Sequence, residues 1–266
     1  MSALKSIKAY TKKELKESIR FKMGFFNTML SPSITMVSFL VTYSAVFFSG
    51  AVNDLGYIDR SNYVIYLLTA FLVYTFFKLA WGRTNLNGEK FMLTLEGILL
   101  APGSRLYILI GKASRILVEI FISVIFFVIA LFFLHVSIDI KALIIGSISL
   151  ILLFVILISV DFIISGIGLA KVGISSFISS YLPRGMALVG CAYYPIDVIP
   201  DFVKPLVYIN PLYHAVNLFR IAFMRADLRF GWEVSFIYLL ILAIIMPIIA
   251  SVFFDWALKK WGIAGY

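Results

Sequence analysis

The sequence predicts an all-α, polytopic membrane protein. Its expected parts are six transmembrane helices, an N-terminal interfacial helix, a helix on the cytoplasmic side and a re-entrant hairpin before the last span. Three observations carry this expectation. Hydrophobic residues make up 62% of the 266-residue chain, charged residues only 14%, and the mean hydropathy is +1.00. A soluble domain averages about 25% charged residues, so too little polar surface exists here to cover a core. Apolar runs also recur at the length, about 20 residues, that a helix needs to cross about 30 Å of hydrocarbon. Finally, four of the eight prolines crowd into residues 193–220, just ahead of the last run.

Residues 1–24 read as an amphipathic interfacial helix and residues 25–266 as one six-span domain. In the first part, Leu4, Ile7, Leu15, Ile19 and Met23 fall near one helical face, and Lys5, Lys12, Lys13, Lys16, Glu17 and Arg20 occupy the rest. Such a helix dips its apolar side chains into lipid and turns its lysines to the phosphates. The plainer alternative is a solvated leader that only fixes topology. The stretch lacks the short apolar core and cleavage site of a signal peptide, and is expected to belong to the mature protein. Spans are expected near 27–48, 62–82, 112–134, 142–170, 174–194 and 233–257. The fifth has the weakest pattern, because it carries Pro183 and Arg184. No fixed-period repeat and no low-complexity linker divides the chain.

Orientation follows from lysine and arginine. With the N-terminus cytoplasmic, the inner segments collect seven before Asn27, five from Arg83 to Arg115, and Lys171, Arg184, Lys259 and Lys260. The outer segments hold Arg60, Lys141, Lys204, Arg220, Arg225 and Arg229. This asymmetry places both termini inside, with the last three arginines as a local exception. It also accounts for the net charge of +9 without invoking nucleic acid. The single cysteine, Cys191, excludes an intramolecular disulfide framework.

The segment EKFMLTLEGILLAPGSRLYILIGKASR, residues 89–115, contains Gly111-Lys112. A phosphate-cradling loop needs a glycine five positions earlier and a hydroxyl residue after the lysine. Leu106 and Ala113 stand there instead, so this pair does not bind ATP. An amphipathic helix remains, about residues 88–100, with Phe91, Leu95, Ile98 and Leu99 on an apolar face and Pro102-Gly103 as its stop. A structured cytoplasmic helix where a short hairpin would suffice suggests a docking element; the alternative is an interfacial helix of no special use.

In residues 193–220, Pro195, Pro200, Pro205 and Pro211 forbid one continuous helix. The apolar pieces between them are too short to cross. They suit a re-entrant or interfacial hairpin, tolerated where protein or a wet cavity surrounds the backbone. Tyr193, Tyr194, Phe202, Tyr208 and Tyr213 add an interface-seeking character, which an anchoring aromatic belt would also explain.

Three charges fall in spans: Lys78, Glu119 and Asp161. Each needs a partner or a wet surface, since a charge at the bilayer centre costs about 2.5–3.5 kcal/mol on insertion scales. Glu119 has Arg115 one helical turn away. Asp161 has no local partner, and Lys78 or Arg184 could meet it; a structural pair is favoured over a role in a substrate path. His135 and His214 lack clustered carboxylates, so no metal site is expected, and no nucleophile, base and orienting group occur together. Neither a catalytic residue nor a cofactor is expected. The polar-small face of GISSFISS, residues 173–180, suits close helix approach in lipid.

Two motifs carry a resemblance. TLEGILLAPGSRLYILIGK, residues 94–112, resembles the cytoplasmic coupling segment of ABC type-2 permeases. YYPIDVIPDFVKPLVYINPLYHAVNLFR, residues 193–220, resembles the same family's proline-rich signature between its fifth and sixth spans. The resemblance covers the whole domain. It implies a non-catalytic membrane subunit in the cell membrane that binds separate nucleotide-binding ATPase subunits and pairs with a second permease copy, a homodimer in preference to a heterodimer. It further implies coupling through Leu93, Leu95, Glu96, Gly97, Leu100, Pro102 and Arg105. The outer gate would comprise Tyr193, Tyr194, Pro195, Pro200, Asn210, Pro211, His214 and Arg220. The expected cargo is amphipathic, lipid-linked or drug-like.

Two other functions compete. A stand-alone ion-coupled carrier or channel would use Asp161 and Glu119, but a broken helix is evident only near the C-terminal end, not in two related halves. A lipid enzyme would use His214, without any catalytic constellation around it.

Overall fold

The structure, a computed structural model, describes residues 3–20, 22–49, 54–55, 58–82, 97, 140–224 and 230–261, with scattered positions from 116 to 132. These are almost wholly helical. In chain order the elements are α1 (Ala3–Arg20), α2 (Lys22–Phe48), the strands β1 (Asp54–Leu55) and β2 (Ile58–Asp59), α3 (Tyr63–Ala80), α4 (Glu119–Ile129), α5 (Ile140–Ala170), α6 (Val172–Leu188), a 3-10 turn (Ile196–Val198), α7 (Lys204–Tyr208), α8 (Pro211–Met224) and α9 (Trp232–Trp261). Among the described residues, α3, α5 and α9 are long and apolar enough to cross a membrane; Ser33–Phe48 and α4 are shorter apolar helices.

The centre of the bundle is α5, which packs against α9, α8, α6 and α3. Leu153, Ile156 and Leu157 of α5 share one core with Leu72, Phe76 and Phe77 of α3 and with Leu212, Val216 and Phe219 of α8. Small residues set the approach. A side chain on Gly146 would begin 2.7 Å from the Phe219 ring, and one on Gly166 would begin 2.9 Å from the Phe253 ring. In lipid, where apolar tails compete with apolar side chains, such close packing is what holds helices together.

A second core closes one end. Phe162 of α5 stacks on Phe254 of α9 at 4.2 Å, with Leu169, Ala250 and Ala257 around them. Tyr10 of α1 and Trp261 pack on this cluster, so the first and last helices meet at one end of the bundle. The outward face of α9 carries Val234, Ile237, Ile241, Ile244, Ile248 and Val252, all about half exposed or more. Their three- and four-residue spacing makes one apolar stripe, the surface a lipid-facing helix presents.

The α2–α3 connection is pinned by β1 and β2, which pair antiparallel. The Asp59 carboxylate accepts from the Ser61 hydroxyl at 2.6 Å and from the Ser61 and Asn62 amides at 2.7 and 2.9 Å. The Ser61 hydroxyl bond, the largest effect, holds that carboxyl below its usual range; burial opposes it and the two amides assist.

The expected fifth span, 174–194, differs from what forms. Helix α6 ends at Leu188, and residues 189–194 turn away. Gly190 lies against Leu212 and the Met186 carbonyl, and Cys191 takes a left-handed φ of 48°, so the helix cannot continue.

Candidate functional site

The proline-rich segment folds as a turn, a short helix and a buried helix. Asn210 caps α8: its side-chain oxygen accepts the Leu212 amide at 3.0 Å, while Pro211 fills the first helical position, where a missing N–H costs nothing. The next nine residues, 212–220, are all buried. Thus α8 is a core helix although it carries His214, Asn217 and Arg220.

Those polar residues serve the irregular backbone beside them. Away from water, every carbonyl outside a helix ladder must find a donor. The Asn210 side-chain amide donates to the Met186 carbonyl at 2.7 Å, His214 Nε2 to Tyr208 at 2.8 Å, and Tyr238 Oη to Ile209 at 2.5 Å. Asn217 Nδ2 donates to the Phe230 carbonyl at 2.9 Å. Arg220 donates from Nη1 to the Cys191 carbonyl at 2.9 Å and from Nη2 to that of Ala192. The next carbonyl, Tyr193, accepts from Tyr43 Oη of α2 at 2.8 Å. Side chains of α2, α8 and α9, with Asn210, therefore satisfy seven carbonyls around the hairpin.

Arg220 is the strongest of these fasteners. It is 1% exposed, and its guanidinium lies 3.6 Å from the centre of the Tyr66 ring. Two carbonyls and a ring face disperse its charge without a described carboxylate partner. By sequence it falls among the cations of the outer segments; the structure buries it on α8. Tyr193 is buried beside it, stacked on Phe39 at 4.5 Å and edge-on to Tyr74 at 5.3 Å. Tyr194 is half-buried, Pro195 starts the 3-10 turn, and Pro200 is exposed. The segment's tip points Phe202 outward at 84% exposure. His214 Nδ1 lies 3.2 Å from Ser235 Oγ; both ring nitrogens are thus engaged in structure.

A second junction lies where α3 ends. Gly82 has a left-handed φ of 74°, and its amide donates to Asp161 Oδ1 at 3.0 Å. Next to it, Trp81 Nε1 donates to the Ser179 carbonyl at 3.0 Å. Pro183 explains that acceptor. It stands four residues after Ser179 inside α6 and has no N–H to give, so the Ser179 carbonyl is left for another donor. The fully buried Asp161 and a helix-interior proline together tie the end of α3 to α5 and α6. Arg184 lies exposed, 5.5 Å from the Tyr181 ring, and Lys78 lies 5.7 Å from the Tyr74 ring. Glu119 is buried on α4.

Of the coupling residues, Leu93, Leu95, Glu96, Leu100, Pro102 and Arg105 lie outside the described residues, as do Arg115 and His135. Gly97 is helical and exposed. Sequence reasoning missed Ser235, Asn217, Tyr238, Tyr43, Tyr66, Trp81 and Ser179. Pro183 was the one available signal, read there as a weakness of the span.

The geometry is that of a polytopic membrane protein with a proline-broken element packed into its bundle. A profile of the ABC-2 type transporter family matches residues 5–224, and the chain belongs to that family. It is similar to the inner membrane transport permease YadH of Escherichia coli (strain K12), with 23% identity over 225 residues, 84% of this chain and 83% of that protein. The proteins of the same name in Escherichia coli O157:H7 and Shigella flexneri match equally. The chain is therefore a transporter membrane subunit of a family whose members associate with an ATPase subunit.

Proposed function

We propose that this chain is the permease subunit of an ATP-driven exporter in the cell membrane. Six spans, with both termini cytoplasmic, carry an amphipathic, lipid-linked or drug-like cargo outward. A separate nucleotide-binding subunit hydrolyses the ATP; the permease itself is non-catalytic. Two permease copies, a homodimer in preference to a heterodimer, form the path. Closure of the ATPase subunits presses on the coupling residues Leu93, Leu95, Glu96, Gly97, Leu100, Pro102 and Arg105. The displacement enters the bundle at the end of α3, where Asp161 and the Ser179 carbonyl hold Gly82 and Trp81. It leaves through the hairpin of residues 193–210, which acts as the outer gate. Such coupling needs contacts that differ between two states. Carbonyl-to-side-chain bonds can supply them, because they break singly while the helices stay whole.

One observation carries this reading: in a chain of the ABC-2 family, irregular backbone is held inside the bundle by donors from three helices. An ion-coupled carrier using Asp161 and Glu119 is the competing function. The bond from Asp161 to Gly82 gives that carboxylate a structural task and weighs against it. Co-purification of the tagged full chain from its own membranes tests the proposal. An ATP-binding-cassette subunit is expected to accompany the wild type and to be lost in Glu96→Lys, with insertion unchanged. Retention of the ATPase by that variant would contradict the placement of the coupling contact.

A further inference from the structure

Three residues between α8 and α9 form a directional chain of hydrogen bonds. The Tyr208 carbonyl can only accept, so His214 Nε2, 2.8 Å away, carries the proton. In the neutral ring Nδ1 is then the acceptor, and the Ser235 hydroxyl, at 3.2 Å, must donate to it. The Ser235 oxygen in turn accepts from Asn217 Nδ2 at 2.9 Å, and the second hydrogen of that amide goes to the Phe230 carbonyl. Both hydrogens of the Asn217 amide and both ring nitrogens of His214 are thus engaged. All three side chains are at most 3% exposed.

The chain ties three separate pieces together. Tyr208 ends α7 of the hairpin, His214 and Asn217 sit on α8, and Ser235 lies in the first turn of α9. Tyr238, one turn further along α9, adds its bond to the Ile209 carbonyl, and its ring lies 4.2 Å from that of His214, tilted by 34°. Arg220 and Tyr43 hold the other end of the hairpin, and between the two ends several side chains face outward. Val198, Phe202, Leu206 and Ile209 are more than half exposed, and its own core is small. Thirty residues of α9 span about 45 Å, from this junction to the cluster on which Tyr10 packs.

We infer that Asn217, Ser235 and His214 are a latch that fastens the C-terminal end of the hairpin to the start of α9, so that this end of the hairpin is released as the chain breaks. His214 is a positioning residue, and its neutral tautomer is the closed form of the latch. The geometry stands by itself; only the use of the latch at an export gate rests on the function proposed above.

Hydrogen–deuterium exchange of the full chain in lipid nanodiscs tests the latch without any ATPase or cargo. Its failure is therefore distinct from a failure of that function. In Ser235→Ala and in His214→Phe, amides of residues 206–210 are expected to exchange about five- to tenfold faster, the effect of losing a buried neutral bond. Amides inside α3 are expected to keep their rates. The double variant is expected to exceed His214→Phe by less than twofold, since both substitutions break the same chain. Ser235→Ala removes one oxygen atom and keeps the test valid should His214→Phe fold poorly. Unchanged exchange at 206–210, fully multiplicative effects in the double variant, or an equal rise inside α3 would each overturn the latch.

Discussion

The hairpin and the end of α3 are fastened by opposite chemistry. At the hairpin, backbone carbonyls are in excess, and side chains from α2, α8 and α9 donate to them. At the end of α3, one buried carboxylate accepts a backbone amide and one proline frees a carbonyl for an indole. The first arrangement is many neutral bonds around one buried cation; the second turns on one buried carboxylate and one indole. A fastening spread over many bonds can loosen stepwise. That contrast suits a gate at one end and a force-transmitting joint at the other.

Substitutions can break the contrast, and Arg220 is where the largest effect is expected. Arg220→Ala leaves the Cys191 and Ala192 carbonyls unsatisfied and removes the contact with Tyr66. About 3 kcal/mol of stability should be lost, at about 1–3 kcal/mol for each stranded acceptor, less what is regained by no longer burying a cation. Thermal unfolding in detergent measures it. Gly146→Ala comes next, because the added methyl would start 2.7 Å from the Phe219 ring; overpacking of this kind costs about 1–3 kcal/mol, read in the same assay.

Asp161 separates the two junctions most sharply. Asp161→Asn keeps an oxygen for the Gly82 amide, whereas Asp161→Ala strands it at about 1–3 kcal/mol. The alanine variant is expected to speed exchange at Gly82 without touching the hairpin, and the asparagine variant to behave nearly as wild type. Were the asparagine variant as damaged as the alanine one, the charge and not the acceptor would be what matters there. The smallest effect belongs to Lys204→Ala. Its partner Asp201 is 93% exposed, so the pair is worth no more than about 0.5 kcal/mol despite its 2.5 Å distance.

How much of this was legible in the sequence depended on range. Apolar runs marked α3, α5 and α9, because length and hydropathy are local properties. The four prolines marked the broken segment, since each constrains its own backbone. The burial of Arg220 was not legible, because a hydropathy pattern reads arginine as surface and its acceptors lie 28 and 29 residues away. Asp161 meets Gly82 across 79 residues and Trp81 meets Ser179 across 98. No local pattern reports such contacts. The same holds for Ser235, an ordinary serine at the start of a span until His214 and Asn217 are folded against it.

Under the proposed function, the chain gates a path driven by ATP hydrolysed elsewhere. Vesicles reconstituted with this chain alone, or with its co-purifying ATPase, and loaded with a fluorescent phospholipid analogue offer the most direct measurement. Accumulation of the analogue in one leaflet is expected only when the ATPase and ATP are both present. Uphill movement by the chain alone would contradict the account.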